Sequence, residues 1–176
     1  MDIQKTDSKS IIINYGVLLG ILSVVLGVIM YVTNAYLNPS FYFSIVSFLI
    51  MVVVIVLGIR TFKIANQSYL SLTEALKLGL GIALVGGIIG AIWQLLLMTV
   101  IEPDYMMQMA DMQREVMLER FPNMTDAQID DALTMNEKFS SPWIMMAIAI
   151  IGSLFFGFLI SLVTGLIMKN KNPYEA

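Results

Sequence analysis

The sequence predicts an all-α fold, a four-transmembrane-helix bundle with a short amphipathic helical hairpin inserted between helices 3 and 4. Three observations carry this. Apolar residues make up 58% of the 176-residue chain and charged residues only 13%, against about 25% charged in ordinary soluble domains. The apolar residues gather into four runs, none of which contains Asp, Glu, Lys or Arg. Each run approaches or exceeds the roughly 20 residues a helix needs to cross a hydrocarbon layer, whereas membrane strands would be about 10 residues long and alternate in polarity. One membrane domain over residues 1–176 is expected.

The first helix is expected over about 11–33. It follows Lys5 and Lys9, as a secretory signal would, but its apolar run is longer than the roughly 7–15 residues of a signal core. It therefore reads as a span. The second is expected over 41–59 and the third over 78–101. Ser71-Leu72-Thr73-Glu74 has the spacing of a capping box ahead of the third. The fourth is expected over 143–168, with Ser141 as cap and Pro142 in the first turn. Tyr31, Tyr36, Phe41, Tyr42, Trp93 and Trp143 fall toward one side of the bilayer, as an aromatic belt would.

The connection from Glu102 to Pro142 differs from the rest. It holds nine of the thirteen acids and is too long for a structureless loop in a compact domain. Pro103 suits a first helical position, with Asp104 beside it. Onward to Phe121, Tyr105, Met109, Met112 and Val116 share one helical face, and Asp104, Asp111, Glu115 and Glu119 share another. Phe121-Pro122-Asn123 breaks the pattern. Thr125 with Gln128 marks a second capping box, opening a short helix to about Lys138. The pair of helices is expected to lie as a lid on the mouth of the bundle. Asn123-Met124-Thr125 matches a glycosylation sequon, which matters only in a eukaryotic secretory pathway.

Positive charge gives the direction. Placing both tails and the loop between the second and third helices on one side collects seven of the ten basic residues there. Arg114, Arg120 and Lys138 remain on the insert side. Cytoplasmic loops carry the excess of Lys and Arg, so both termini are expected in the cytoplasm of a cell with the protein in its inner membrane.

The chain has no cysteine and no histidine. This removes disulfides, thiolate ligands and the commonest general base. No cofactor is expected, and nothing basic enough suggests nucleic acid as a partner. Met107-x-Met109-x-x-Met112 has the spacing of the methionine motifs of copper importers, whose thioethers suit cuprous ion. Methionine is also a flexible filler of amphipathic surfaces, and the chain has 14. No metal site is assigned, and Met107, Met109 and Met112 stand as the weak candidates. Asp126 and Asp130, one helical turn apart, form the sole carboxylate pair with site-like spacing and read better as a solvated face. Glu74 and Lys77 read as a cap and an interfacial anchor.

No ionisable residue lies at mid-depth in the spans, which argues against a proton- or sodium-coupled pump built from one copy. Most of Ser23, Ser44, Ser47, Ser153, Ser161 and Thr164 are expected to bond their own helix backbones. Gln94 is the one large polar group and suits an interhelical hydrogen bond. Glycines mark close packing: Gly16-x-x-x-Gly20 in the first helix, Gly86-x-x-x-Gly90 in the third, and Gly152, Gly157 and Gly165 in the fourth. The second helix, rich in Val and Ile, is expected to face more lipid. Gly27 before Pro39 and Gly90 before Pro103 have nearly equal spacing, which hints at a duplicated hairpin.

Tyr15-Gly16, the stretch Ser71 to Gly79, Trp93 with Pro103, the insert, and the ending from Ser161 to Lys169 together resemble the bacterial membrane proteins of domain-of-unknown-function family 4199. The resemblance implies a four-helix inner-membrane protein and no activity. The function expected is that of a non-enzymatic accessory, regulatory or envelope component, acting through helix packing and partner contacts. Its surroundings would be the lipid bilayer and a membrane protein partner or further copies of itself. The alternatives are a small oligomeric transporter or channel and, more remotely, a copper-binding membrane protein.

Overall fold

A computed structural model describes residues 7–137 and 141–170; Lys5, Lys138 and Lys171 lie outside them. It contains α1 (Ser8–Val32), α2 (Phe41–Ala65), α3 (Leu72–Leu96), a five-residue π-turn (Leu97–Ile101), α4 (Tyr105–Arg120), α5 (Asp126–Glu137) and α6 (Pro142–Met168). Four of these helical stretches, α1, α2, α3 with its π-turn, and α6, are long and apolar enough to cross a membrane. The order is up, down, up, lid, down. The end that holds Ser8, the α2–α3 turn and Met168 is called the tail end, and the end under α4 and α5 the insert end.

The helices begin and stop for local reasons. Ser71 caps α3, with Oγ accepting from the Glu74 N–H at 3.2 Å while the Glu74 carboxylate accepts from the Ser71 N–H at 2.8 Å. α1 ends with Asn34 in the left-handed region, φ 55°, and Ala35 N–H reaching back to the Met30 carbonyl at 2.8 Å. This Schellman closure satisfies two terminal carbonyls. α2 closes the same way through Gln67, φ 53°, with Ser68 N–H donating to the Lys63 carbonyl. Both α2 and α3 run beyond their apolar spans at the tail end. The extra turns carry Arg60, Lys63, Glu74 and Lys77, because hydrocarbon thickness limits the apolar run but not the helix.

α3 is the central element, packing most heavily on α1 and α6, which meet each other little. Its seam with α6 is antiparallel and made of small residues in step: Ala75 on Gly165, Gly79 on Ser161, Ala83 on Gly157, and Gly87 on Ser153. A Cβ added at Gly165 would lie 2.8 Å from the Ala75 Cβ, and one at Gly79 would fall on the Ser161 Cβ. In lipid, where burial from water cannot drive helices together, this close approach is the main source of attraction. The seam with α1 is parallel, with Gly16 against Val85 and Gly20 against Ile89.

α2 is divided. Val54, Ile55, Gly58, Ile59 and Phe62 in its tail half are buried. Phe41, Tyr42, Ile45, Val46, Phe48 and Leu49 in its other half are exposed. The expected lipid-facing helix is therefore half of a core helix. The tail end is also tied by Leu70, fully buried, whose N–H donates to the Asn170 carbonyl and whose carbonyl accepts from Asn170 N–H, each at 2.9 Å. Asn170 Nδ2 adds a bond to the Ser68 carbonyl at 3.1 Å.

Candidate functional site

Where the insert half of α2 is exposed, a cleft lies between α1, α2, α3 and α6. Its outer part, about 450 Å³, has walls of Met30, Phe43, Phe48 and Phe156, with Ser44 and Ser47 along one side. Its inner part, about 270 Å³, continues through Ser47 and Met51 to Ser23, Ser153 and the glycines Gly86, Gly87 and Gly90. The α3–α6 seam would next pair Ala91 with Ala149, but both line the cleft instead. The zipper stops where the cleft starts.

The hydroxyls here are not alike. Ser23 donates to the Leu19 carbonyl of its own helix at 2.9 Å, and Ser153 crosses to the Ala83 carbonyl of α3 at 2.8 Å. Ser44 and Ser47, exposed to the cleft, make no hydrogen bond among the described residues. The expectation that membrane hydroxyls bond their own backbones thus holds at Ser23 and Ser161 and fails at these two positions, at Ser153 and at Thr164, which makes no hydrogen bond among the described residues. Gln94 is half-buried and likewise makes no hydrogen bond among the described residues, so the expected interhelical bond is not formed.

The glycines divide similarly. Gly16 and Gly20 carry the α1–α3 seam, and a Cβ added at Gly86 would lie 2.7 Å from Leu19 side-chain atoms. Gly90 has only ordinary contact, 3.8 Å to the Ser23 Cβ, and Gly152 faces open space. Gly86-x-x-x-Gly90 is thus a packing glycine followed by a cleft-lining one.

The insert end is roofed by α4. A Tyr105 ring stacks on Tyr36 at 5.9 Å, and Tyr36 meets Tyr31 at 5.6 Å. Tyr105, Leu97 and Met98 are buried there, with Met106, Met109 and Met145 packed around them. The π-turn presents Leu97 and Met98 to this cluster, and it closes with Glu102 N–H on the Leu97 carbonyl at 2.8 Å. Pro103 is not the first helical residue: it lies in the turn before Tyr105, since the backbone of Glu102 leaves helical geometry at φ −130° and ψ 78°. A polar chain fixes the roof. Tyr36 OH donates to Gln108 Oε1 at 2.9 Å, and Gln108 Nε2 donates to Glu102 Oε1 at 2.6 Å. Desolvation first, then Glu102 and Tyr31, hold the Tyr36 phenol above its ordinary range. Burial, with Tyr36 nearby, does the same for Tyr105. Both phenols are neutral at physiological pH, and Tyr36 is the one that donates.

α5 folds back on α4. Thr125 and Gln128 form the expected capping box, with Thr125 N–H to Gln128 Oε1 at 3.0 Å and Gln128 N–H to Thr125 Oγ1 at 3.4 Å. Ile129 is fully buried between the two helices' surroundings. Arg114 bonds Asp130 at 2.7 Å and approaches Asp126 at 3.8 Å, so the carboxylate pair is one side of an ion pair. Met107, 61% exposed, points away from the face of Met109, which packs by Tyr105. Two residues on a helix are about 200° apart, so Met107, Met109 and Met112 do not converge on one point. Ser141 starts α6 with Pro142 in the first turn, but its hydroxyl makes no capping bond. Asn123 is exposed in the turn between α4 and α5.

Residues 14–170 match the family model described as "Protein of unknown function (DUF4199)". The chain belongs to this family. Neither curated proteins nor solved structures give a match. Membership agrees with the resemblance carried by Tyr15-Gly16, the α3 cap and the ending of α6, and it assigns no chemistry.

Proposed function

We propose that the protein is a non-enzymatic accessory or regulatory component of a membrane, acting through a partner that meets its insert face. The observation that supports this most is the construction of the lid. It is pinned to the bundle by the Tyr36–Gln108–Glu102 chain and by the tyrosine cluster. Its outer side presents Asp111, Glu115 and Glu119, all exposed and with no cation bound to them among the described residues. An acidic platform held over the bundle mouth suits a partner with a basic surface, another membrane protein or a further copy of the chain.

Affinity purification from native membranes in mild detergent tests the reading. A specific protein should co-purify, and the triple change Asp111→Asn, Glu115→Gln and Glu119→Gln should release at least tenfold more of it at equal expression. Recovery of only the chain and lipid would overturn the proposal. The inner membrane, with both termini cytoplasmic, is the setting we propose, supported by the basic residues gathered at the tail end. A reporter active only in the cytoplasm, fused to either terminus, should be active, and the same reporter placed between Asn123 and Met124 should be silent.

The lateral cleft favours a second reading, a small transporter or channel with a path shared between copies. Solute flux into reconstituted vesicles tests it, and Gln94→Leu asks whether Gln94 lines the path.

A further inference from the structure

The cleft at the insert end has a depth, and the depth gives it a chemistry. At 1.5 Å per residue, Ser44 lies about 5 Å and Ser47 about 9 Å from Phe41 along α2. Phe41 and Tyr42 are exposed and sit where aromatic belts meet lipid headgroups. Ser44 and Ser47 therefore reach the boundary at which headgroups give way to hydrocarbon. A glycerophospholipid carries its ester carbonyls at that boundary, and those carbonyls are acceptors.

Both hydroxyls face the cleft without a hydrogen-bond partner among the described residues. In helices, serine and threonine commonly bond the carbonyl four residues back, as Ser23, Thr33 and Thr99 do here. Leaving two donors unmet near hydrocarbon is unfavourable, so an occupant that brings acceptors at that depth is favoured over a purely apolar one. Below Ser47 the cleft continues past Met51 to Gly90, where an added Cβ would find its nearest atom at 3.8 Å, so the missing side chain leaves room there. The outer part, about 450 Å³, falls within the roughly 300–1,000 Å³ typical of ligand sites. A second copy's helix would offer few acceptors, since its carbonyls are already bonded within the helix.

The geometry points to a binding site for one glycerophospholipid of the leaflet on the insert side. Its ester carbonyls accept from Ser44 and Ser47, and one acyl chain runs along the wall formed by the Phe48 and Phe156 rings, which meet edge to face at 5.9 Å, toward Met51 and Gly90. The site goes beyond the partner-binding role of the lid and stands without it.

The test uses the full chain in nanodiscs containing a phospholipid with a photoactivatable diazirine midway along one acyl chain. Labelling should concentrate on Met51, Gly90 and Ser153 rather than on Ile21 and Ile151, which are exposed elsewhere on the bundle. Ser47→Leu, which fills the passage, should lower that labelling at least tenfold. Ser44→Ala with Ser47→Ala, which keeps the space, should lower it about threefold, at an unchanged thermal midpoint. An ether-linked analogue, lacking ester carbonyls, should label the wild type about threefold less than the ester probe. Uniform labelling, or equal labelling by ester and ether probes, would overturn the proposal. So would efficient disulfide cross-linking of two copies through Ser47→Cys, which would put a second chain in the cleft; the native chain has no other thiol to confuse the readout.

Discussion

The two ends of the bundle are built on different principles. At the tail end all four spanning helices converge. Ile55, Ile59, Leu70, Leu78 and Ile82 are fully buried, small residues interlock along α3 and α6, and Asn170 ties the end of α6 to the α2–α3 turn. At the insert end α2 is largely exposed, and Ala91 of α3 and Ala149 of α6 line a cleft. Closure there comes from a separate roof held by aromatic stacking and a short polar chain. One end is fixed by packing that cannot rearrange cheaply, the other by contacts that can be made and broken. A membrane protein of this size can keep its fold in the first and place its adaptable surfaces in the second.

The sharpest way to break this contrast is to truncate a side chain at each end of the same helix. Ile59 is fully buried and Phe48 is 46% exposed. Ile59→Ala leaves a cavity in a core that can collapse only partly and should cost about 2–5 kcal/mol. Phe48→Ala, although it removes a larger group, loses chiefly the edge-to-face contact with Phe156 and should cost about 0.5–1.5 kcal/mol. Denaturation in mixed micelles measures both. Comparable losses would mean that α2 packs along its whole length.

Much of this architecture was legible in sequence, and what was not has a physical cause. The four spans follow from uncharged apolar runs, and the two capping boxes from Ser71 with Glu74 and Thr125 with Gln128, because those signals are local. Gly16, Gly20 and the amphipathic face of α4 were legible for the same reason. The division of α2 was not. Its Val- and Ile-rich sequence has the same composition in both halves, and lipid and protein interior are equally apolar, so hydropathy cannot tell them apart. Gly86 and Gly90 look equivalent in a motif, yet only the first meets a neighbour closely. The Tyr36–Gln108–Glu102 chain joins residues far apart in sequence, and the π-turn at Leu97–Ile101 has no composition of its own.

A second pair of substitutions works along α3. Gly79→Ala places a methyl group on the Ser161 Cβ, and two packed helices must separate to admit it. Overpacking of this kind costs about 1–3 kcal/mol. Gly90→Ala adds the same methyl where the nearest atom is 3.8 Å away. It should be neutral or slightly stabilising, since alanine favours helix by about 1 kcal/mol over glycine. Unfolding midpoints of the two variants should therefore move in opposite directions or, at least, only the first should fall. A drop at Gly90 as large as that at Gly79 would show that α3 is closely packed in the cleft as well.

The smallest effect concerns the roof, where Tyr36→Phe keeps the ring in the tyrosine cluster and deletes only the donor to Gln108. One hydrogen bond contributes about 0.5–1.5 kcal/mol net, which for the lid means about a fivefold rise in its open population. Because the tail end shares none of these contacts, the loss should be local. Hydrogen exchange should quicken severalfold in α4 while the buried stretch of α2 from Val54 to Phe62 keeps its protection, which separates a hinged roof from a bundle that loosens as a whole. Equal acceleration in both segments would mean that the two ends are one cooperative unit after all, with the roof contributing to the core rather than resting on it.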